Sequence, residues 1–207
     1  MGQAPFRAMA GIILAGGRSE RMGRPKALLR FPGTGRTFIR QVTDTLHDAG
    51  LTRLAVVTGV HHQRIAEEML GSGVHVLYNP AHADGQLSSL LHGLRWAFAE
   101  PGGDWALSTL VDVPGLSSST IVAVAAASRS DQVRAIRPAI GDRHGHPIAW
   151  HREAVALLEA ADPASGARPV LSALAAEGAV LDVTITDPGG LIDVDTPADY
   201  ARLLDEP

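Results

Sequence analysis

Short apolar, β-branched runs alternate along this chain with stretches whose apolar positions recur every three or four residues. Residues 9–15, 54–58, 74–78 and 105–111 have the continuous hydrophobic character of strands buried on both faces, and each is bounded by Gly, Pro or Asn. Between them, residues 37–49 place Phe38, Val42, Leu46 and Ala49 on one helical face, with Gly50 as the stop; residues 61–70 and 88–98 repeat that periodicity. Several N-cap candidates from Ser117 to Thr120 precede a further helix at 121–127. Strands and helices taking turns predict a parallel sheet covered on both sides by right-handed crossovers. The expected fold class is therefore α/β: a doubly wound, mostly parallel sheet in a three-layer α/β/α arrangement.

The later part changes character. Residues 134–140 and 147–150 read as short strands flanking the polar turn Gly141-Asp142-Arg143-His144-Gly145-His146. Helices are expected at 152–160 and 169–177, a strand at 180–186, and a last helix from Pro197 through Leu204. No linker, repeat or low-complexity tract divides the chain, so a single domain over 1–207 is expected, with 1–8 and 205–207 loosely held.

Composition narrows the classes of partner. At 207 residues and 45% hydrophobic the chain can bury one substantial core. A net charge of −4 argues against a broad nucleic-acid surface. The absence of cysteine excludes disulfides, thiolate metal sites and cysteine nucleophiles. No signal-like segment or run of membrane-spanning length is present, which makes a cytoplasmic protein without membrane attachment the expectation.

Positive charge is instead concentrated after the first strand, where Ile12-Ile13-Leu14-Ala15 empties into Gly16-Gly17 followed by Arg18, Arg21, Arg24 and Lys26. Glycines let the backbone approach an anion and turn amide N–H groups toward it, so the loop suits a polyphosphate. It is not a P-loop, because Lys26 lies between Pro25 and Ala27. Nor is it a dinucleotide fingerprint, because a charged insert separates Gly17 from Gly23. Its place at the carboxyl end of a buried strand is where open α/β sheets bind ligands.

Two acidic segments complement that loop. Asp112, in Leu110-Val111-Asp112-Val113-Pro114, ends a strand and needs a cation, amide donors or solvent; a divalent metal is one candidate, a turn-initiating Asp before Pro the other. In Ile192-Asp193-Val194-Asp195-Thr196-Pro197, alternation puts Asp193 and Asp195 on one side of an extended chain. Asp193 is the better metal candidate, because Asp195 or Thr196 can equally cap the helix that Pro197 starts. Nine histidines include His61-His62 and His144, His146 and His151, but the ligand spacing of a zinc hydrolase is missing.

Together these segments resemble the MobA-like nucleotidyltransferases, in particular the molybdenum cofactor cytidylyltransferases. The resemblance is carried by Leu14-Ala15-Gly16-Gly17, Arg21-Met22-Gly23 with Pro25-Lys26, Asp112 before Pro114, and Asp193-Val194-Asp195-Thr196-Pro197. Asn79-Pro80, Gly85-Gln86-Leu87-Ser88-Ser89-Leu90 and Arg143-His144-Gly145-His146-Pro147 extend it. It implies a Rossmann-like nucleotidyltransferase fold in which Arg18 and Lys26 grip the triphosphate. The backbone at Leu14, Ala15 and Gly16 would line the base and sugar, with Gly17 also binding nucleotide and Gly85, Ser88 and Ser89 completing base recognition. Asp112 and Asp193 would hold Mg²⁺, and Arg18, Lys26 and Asp112 would be the catalytic set. Arg143, His144 and His146 would face the acceptor, within a region at 134–190 devoted to it.

The implied reaction joins a nucleoside monophosphate from CTP to the terminal phosphate of molybdopterin, and a molybdoenzyme or insertion chaperone would receive the product. Gly16 departs toward the guanylyltransferase pattern and points to GTP, whereas the serine pair and the His144-Gly145-His146-Pro147 segment point to the cytidylyl branch. A sugar-phosphate nucleotidyltransferase or a non-catalytic cofactor carrier are the competing classes.

Overall fold

The computed structural model describes residues 9–100, 103–127 and 131–205. The loose ends expected at 1–8 and 206–207 lie outside the described residues, whereas Asp205 closes the last helix. In chain order the elements are β1 (Ala10–Ala15), α1 (Phe38–Asp48), β2 (Leu54–Thr58), α2 (His62–Glu68), β3 (His75–Tyr78), α3 (Gln86–Ala97), β4 (Trp105–Leu110) and α4 (Ser118–Ala126). They continue with β5 (Ala135–Ile140), β6 (Arg143–His144), β7 (Ile148–His151), α5 (Ala154–Glu159), α6 (Arg168–Ala176), β8 (Val180–Thr184) and α7 (Pro197–Asp205).

One eight-stranded sheet runs β3-β2-β1-β4-β7-β5-β6, with β8 paired to β5. β1, β2, β3 and β4 are mutually parallel, as is β8 on β5, while β7 lies antiparallel between β4 and β5. The chain winds outward from β1 to β2 and β3, then returns to place β4 on the other side of β1. That reversal opens a crevice beyond the carboxyl ends of β1 and β4.

Both faces of the central strands β1, β2 and β4 are covered, which is why they show no apolar–polar alternation. β3, expected to be buried on both faces, lies at the sheet edge and is only partly buried, with His75 and Tyr78 exposed. Ile13 and Val56 meet Phe38, Val42 and Leu46 of α1 and Ile121 and Val124 of α4. On the other face Ile12 and Val57 meet Leu87 and Leu94 of α3, with Trp150, Leu158 and Leu174 nearby. Each fully buried aliphatic side chain there contributes on the order of 1.5–3 kcal/mol. The Thr37 hydroxyl accepts the Arg40 N–H at 3.4 Å at the start of α1, and Ser117 does the same for Thr120 at 3.3 Å in α4.

The expected polar turn at 141–146 is different in detail. Gly141 takes φ +58, and the tight reversal lets Arg143 and His144 pair with Ile140 and Ala139 as the edge strand β6. Among the described residues no helix is long and apolar enough to cross a membrane.

Candidate functional site

The loop after β1 is held by its own side chains. Ser19 adopts the left-handed conformation (φ 56°), a costly one for a non-glycine residue, and its hydroxyl accepts the Lys26 N–H at 3.1 Å. Between them, one short turn (Glu20–Met22) buries Met22 in the core and ends at Gly23. A second turn, Lys26–Leu28, carries Lys26 back toward the end of β1.

There Lys26 meets two carboxylates from distant parts of the chain. Its ammonium donates to Asp112 Oδ2 at 2.9 Å and to Asp195 Oδ1, while Arg21 donates to Asp195 Oδ2 at 2.9 Å. The Lys26 and Asp112 side chains are only 13% and 20% exposed, so this is a shielded pair. Backbone pairing explains the meeting: the Val111 N–H donates to Leu14 O at 3.1 Å, extending the β1–β4 ladder, and the Val194 N–H donates to Asp112 O at 2.8 Å, laying residues 193–195 beside it.

The helix-cap alternative for Asp195 is settled by its neighbours. Thr196 and Asp199 cap α7 reciprocally: the Asp199 carboxylate accepts the Thr196 N–H and hydroxyl at 2.7 Å each, and Thr196 Oγ1 accepts the Asp199 N–H at 3.2 Å. The Asp195 side chain is thereby free to face Lys26 and Arg21.

These contacts set the titration of the cluster. Burial works against the Lys26 charge, but the hydrogen bonds and charges of Asp195 and Asp112 hold its pKa above the ordinary value. The bond from Lys26 holds Asp195 below the usual carboxylate range. Asp193 is raised, first by desolvation of its carboxyl and then by the charges of Asp112 and Asp195, although the residue as a whole is exposed.

Asp112 has the Lys26 ammonium on Oδ2, but its Oδ1 is buried without a hydrogen-bond partner. An orphaned carboxylate oxygen beside a second destabilised carboxylate suits a hard divalent cation. No group of three or more His, Asp or Glu placed to hold a metal occurs among the described residues. A cation at Asp112 would accordingly complete its shell with water or with oxygens of a bound molecule.

From this cluster a cleft of about 430 Å³ extends past Leu14, Ala15, Gly16, Gly17 and Arg18 toward Gly85 and Ser89. Gly85 takes φ +105°, which strongly favours glycine, and opens α3 with its amide end toward the cleft. Adjacent serines then diverge by one helical step. Ser89 lines the cleft, whereas the Ser88 hydroxyl donates to Ala81 O and Gly85 O at 2.7 and 2.8 Å and is occupied in holding the preceding turn. Buried Asn79 organises both, donating to Ser88 Oγ at 2.9 Å and Ser89 Oγ at 3.1 Å. A Cβ on Gly16 would lie 2.8 Å from Ser89 Oγ, so the absent side chain is what lets strand loop and helix close on one another.

Arg18 lines the same cleft with its side chain 60% exposed, and its carbonyl lies 3.2 Å from His61 Nε2. His61, His82 and Gln86 also line the cleft. The sequence marked His61 only as part of a histidine pair and Gln86 only within the segment 85–90, neither with a site role, and gave no signal for His82. Asp193 stands beside Asp112 and Asp195 without lining it.

The three residues expected at the acceptor are not brought together. His144 Nε2 sits 3.2 Å from Asp182 and 3.1 Å from Arg137 on the outer strands, and neither it nor exposed Arg143 reaches the cleft, because β6 pairs at the sheet edge. His146 lies inward instead. Its N–H donates to Gly190 O at 2.7 Å, and its imidazole enters a small recess of about 40 Å³ with Leu14, Ser108 and Trp150. Desolvation lowers its pKa to about 4, against the opposing pull of Asp112, which keeps the ring neutral near pH 7.

A crevice at the switch point of a doubly wound sheet, with a glycine-rich cationic loop facing strand-end carboxylates, defines a nucleotidyltransferase. Residues 11–178 match the MobA-like NTP transferase domain, and the chain belongs to that family. It is similar to a nicotine blue oxidoreductase of Paenarthrobacter nicotinovorans, 30% identical over 99% of this chain and 100% of that protein. It is also similar to a probable molybdenum cofactor guanylyltransferase of Mycobacterium marinum, 31% identical over 93% and 91% of the two chains. Among solved structures, a nucleotidyl transferase from Methanothermobacter thermautotroptrophicus superimposes with a TM-score of 0.81 at 26% identity, covering 95% of this chain and 96% of that one.

Proposed function

We propose that this protein transfers the nucleoside monophosphate of CTP to the terminal phosphate of molybdopterin and releases pyrophosphate. The observation that carries the reading is the shielded Lys26 ammonium held against Asp112 and Asp195 at the end of the cleft. An oxygen of the acceptor phosphate attacks the α-phosphorus, the bond from that phosphorus to the bridging oxygen of the β-phosphate breaks, and pyrophosphate carries away the electron pair. Both reactants are anions, so positioning and charge neutralisation supply most of the acceleration.

Arg18 and Lys26 neutralise the triphosphate while the backbone of Gly16 and Gly17 approaches it closely. Gly85 and Ser89 bound the base, and Asn79 with Ser88 keeps that wall in place. Asp112 and Asp193 would hold Mg²⁺, which when bound supplies charge neutralisation at the phosphates. Downstream, a molybdoenzyme or its insertion chaperone in the cytoplasm receives the dinucleotide.

GTP as donor is a second reading, favoured by Gly16 and by the guanylyltransferase name of the mycobacterial relative. The test incubates purified protein with Mg²⁺, molybdopterin and CTP or GTP in parallel and measures pyrophosphate. Release dependent on molybdopterin and larger with CTP is expected, and a preference for GTP replaces the first reading with the second. Release with neither nucleotide would refute both and leave a cofactor carrier, or a redox role as in the Paenarthrobacter relative. Lys26→Ala and Asp112→Ala are each expected to lower turnover on the order of 100- to 1,000-fold; near-normal rates in either would remove these residues from the catalytic set.

A further inference from the structure

The most shielded cation of the cleft occupies the carboxylates that a metal would need. Lys26 Nζ lies 2.9 Å from Asp112 Oδ2 and also donates to Asp195, while Arg21 closes the remaining oxygen of Asp195. Of the oxygens of these two carboxylates, Asp112 Oδ1 is the one left buried and unpaired. A divalent ion approaching Asp112 alone would meet the ammonium a few ångströms away, across a low-dielectric site where like charges repel strongly. Moving Lys26 aside without replacement would instead leave Asp195 with Arg21 alone and put a desolvated ammonium out of hydrogen-bond contact.

A triphosphate changes that balance. Lys26 and Arg18 line the cleft in which it would lie, so Lys26 gains phosphate oxygens in exchange for the carboxylates it releases. Phosphate oxygens would also complete the ligand set that the described residues do not supply by themselves.

We infer that Lys26 is a built-in counter-ion that holds the metal's place in the free protein, so that metal and nucleotide enter together and neither carboxylate is exposed without a cation. This rests on the nucleotidyltransferase reading. Lys26 consequently has two posts, Asp112 and Asp195 before binding and the phosphates afterwards, and the free protein discriminates against bare metal ions.

The consequence is that removing the Lys26 charge strengthens metal binding when nucleotide is absent. Mn²⁺ is the probe, with free and bound ion measured by electron paramagnetic resonance in wild type, Lys26→Met, Lys26→Gln and Lys26→Met/Asp112→Asn. Lys26→Gln keeps a hydrogen-bond donor for Asp112 and guards against loss of fold in Lys26→Met; thermal melts check both. Both single variants should bind Mn²⁺ about tenfold or more tightly than wild type without nucleotide, and Asp112→Asn should abolish the gain. Unchanged affinity in both folded variants, or wild type binding Mn²⁺ as tightly without a nucleoside triphosphate as with one, overturns the counter-ion role. If no variant binds Mn²⁺ even with CTP or GTP present, the metal-dependent transferase reading fails first, and this inference falls with it.

Discussion

Gly16 and Ser89 form a contact that a single methyl group should break and a single oxygen deletion should restore. A Cβ at position 16 would come within 2.8 Å of Ser89 Oγ but stay 3.8 Å from Ser89 Cβ, an ordinary van der Waals separation. Ser89 is 4% exposed and has little room to rotate away, and doing so would lengthen its 3.1 Å bond from Asn79. Overpacking of this kind costs about 1–3 kcal/mol. Against it stands a gain of roughly 0.4–1 kcal/mol from stiffening the unfolded chain, since Gly16 does not occupy a left-handed conformation.

Gly16→Ala alone should therefore destabilise by about 1–2 kcal/mol. Ser89→Ala alone loses one buried hydrogen bond and costs about 1–3 kcal/mol. In the double variant the clash is gone, so adding Gly16→Ala to the Ser89→Ala background should be neutral or stabilising, giving a coupling of about 1.5–2.5 kcal/mol. Urea denaturation of the four proteins measures this. Equal costs for Gly16→Ala in both backgrounds would refute the contact. Because Gly16 points to GTP and the serine pair to CTP, the same four proteins should also be compared with the two nucleotides.

Protonation of His146 supplies a second test. Its pKa of about 4, against an ordinary 6.5, means that the unfolded chain takes up the proton first as pH falls. Stability should decline by roughly 3 kcal/mol between about pH 6.5 and pH 4 and be unaffected by this group below that window. His146→Gln should remove that share of the slope; denaturant midpoints at pH 7 and 4.5 for both proteins decide it, and identical slopes would show that the imidazole is not buried neutral. Thr196→Ala breaks the hydroxyl half of the cap on α7 and should cost about 1 kcal/mol, a fall in melting temperature of roughly 2–4 °C for a domain of this size. An unchanged melting temperature would mean that the cap contributes nothing to holding α7.

Continuous apolar runs made β1, β2 and β4 legible, because burial on both faces leaves one unambiguous signal, whereas β3 was legible as a strand but not as an edge strand with exposed ends. β6 was not legible: two residues, Arg143 and His144, are too few to carry a period, and their pairing follows from the Gly141 turn. Ser88 and Ser89 are chemically identical neighbours, and only the roughly 100° step of a helix sends one to the cleft and the other back to Ala81 and Gly85. His146, expected to contact an acceptor from a polar turn, is drawn inward because its N–H is fixed on Gly190 and its ring fills a recess beside Trp150. Asp195 carried two local readings, metal and cap, and its observed partner was neither: Lys26 stands 169 residues away in sequence.

The cluster forms despite that separation because each member is anchored by its own local contacts. Lys26 and Asp112 do not depend on each other for their placement, because the β1–β4 ladder fixes Asp112 through Val111 on Leu14, while Ser19 and buried Met22 fix the turn that delivers Lys26. Residues 193–195 are anchored separately, by Val194 on Asp112 O on one side and by the Thr196–Asp199 cap on the other. The charges are thus imposed on one another by backbone pairing rather than assembled by attraction. A cluster built that way can lose its internal ion pair to an incoming polyphosphate without losing its geometry, and that independence is what a site needs if Lys26 is to exchange carboxylates for phosphates in each turnover.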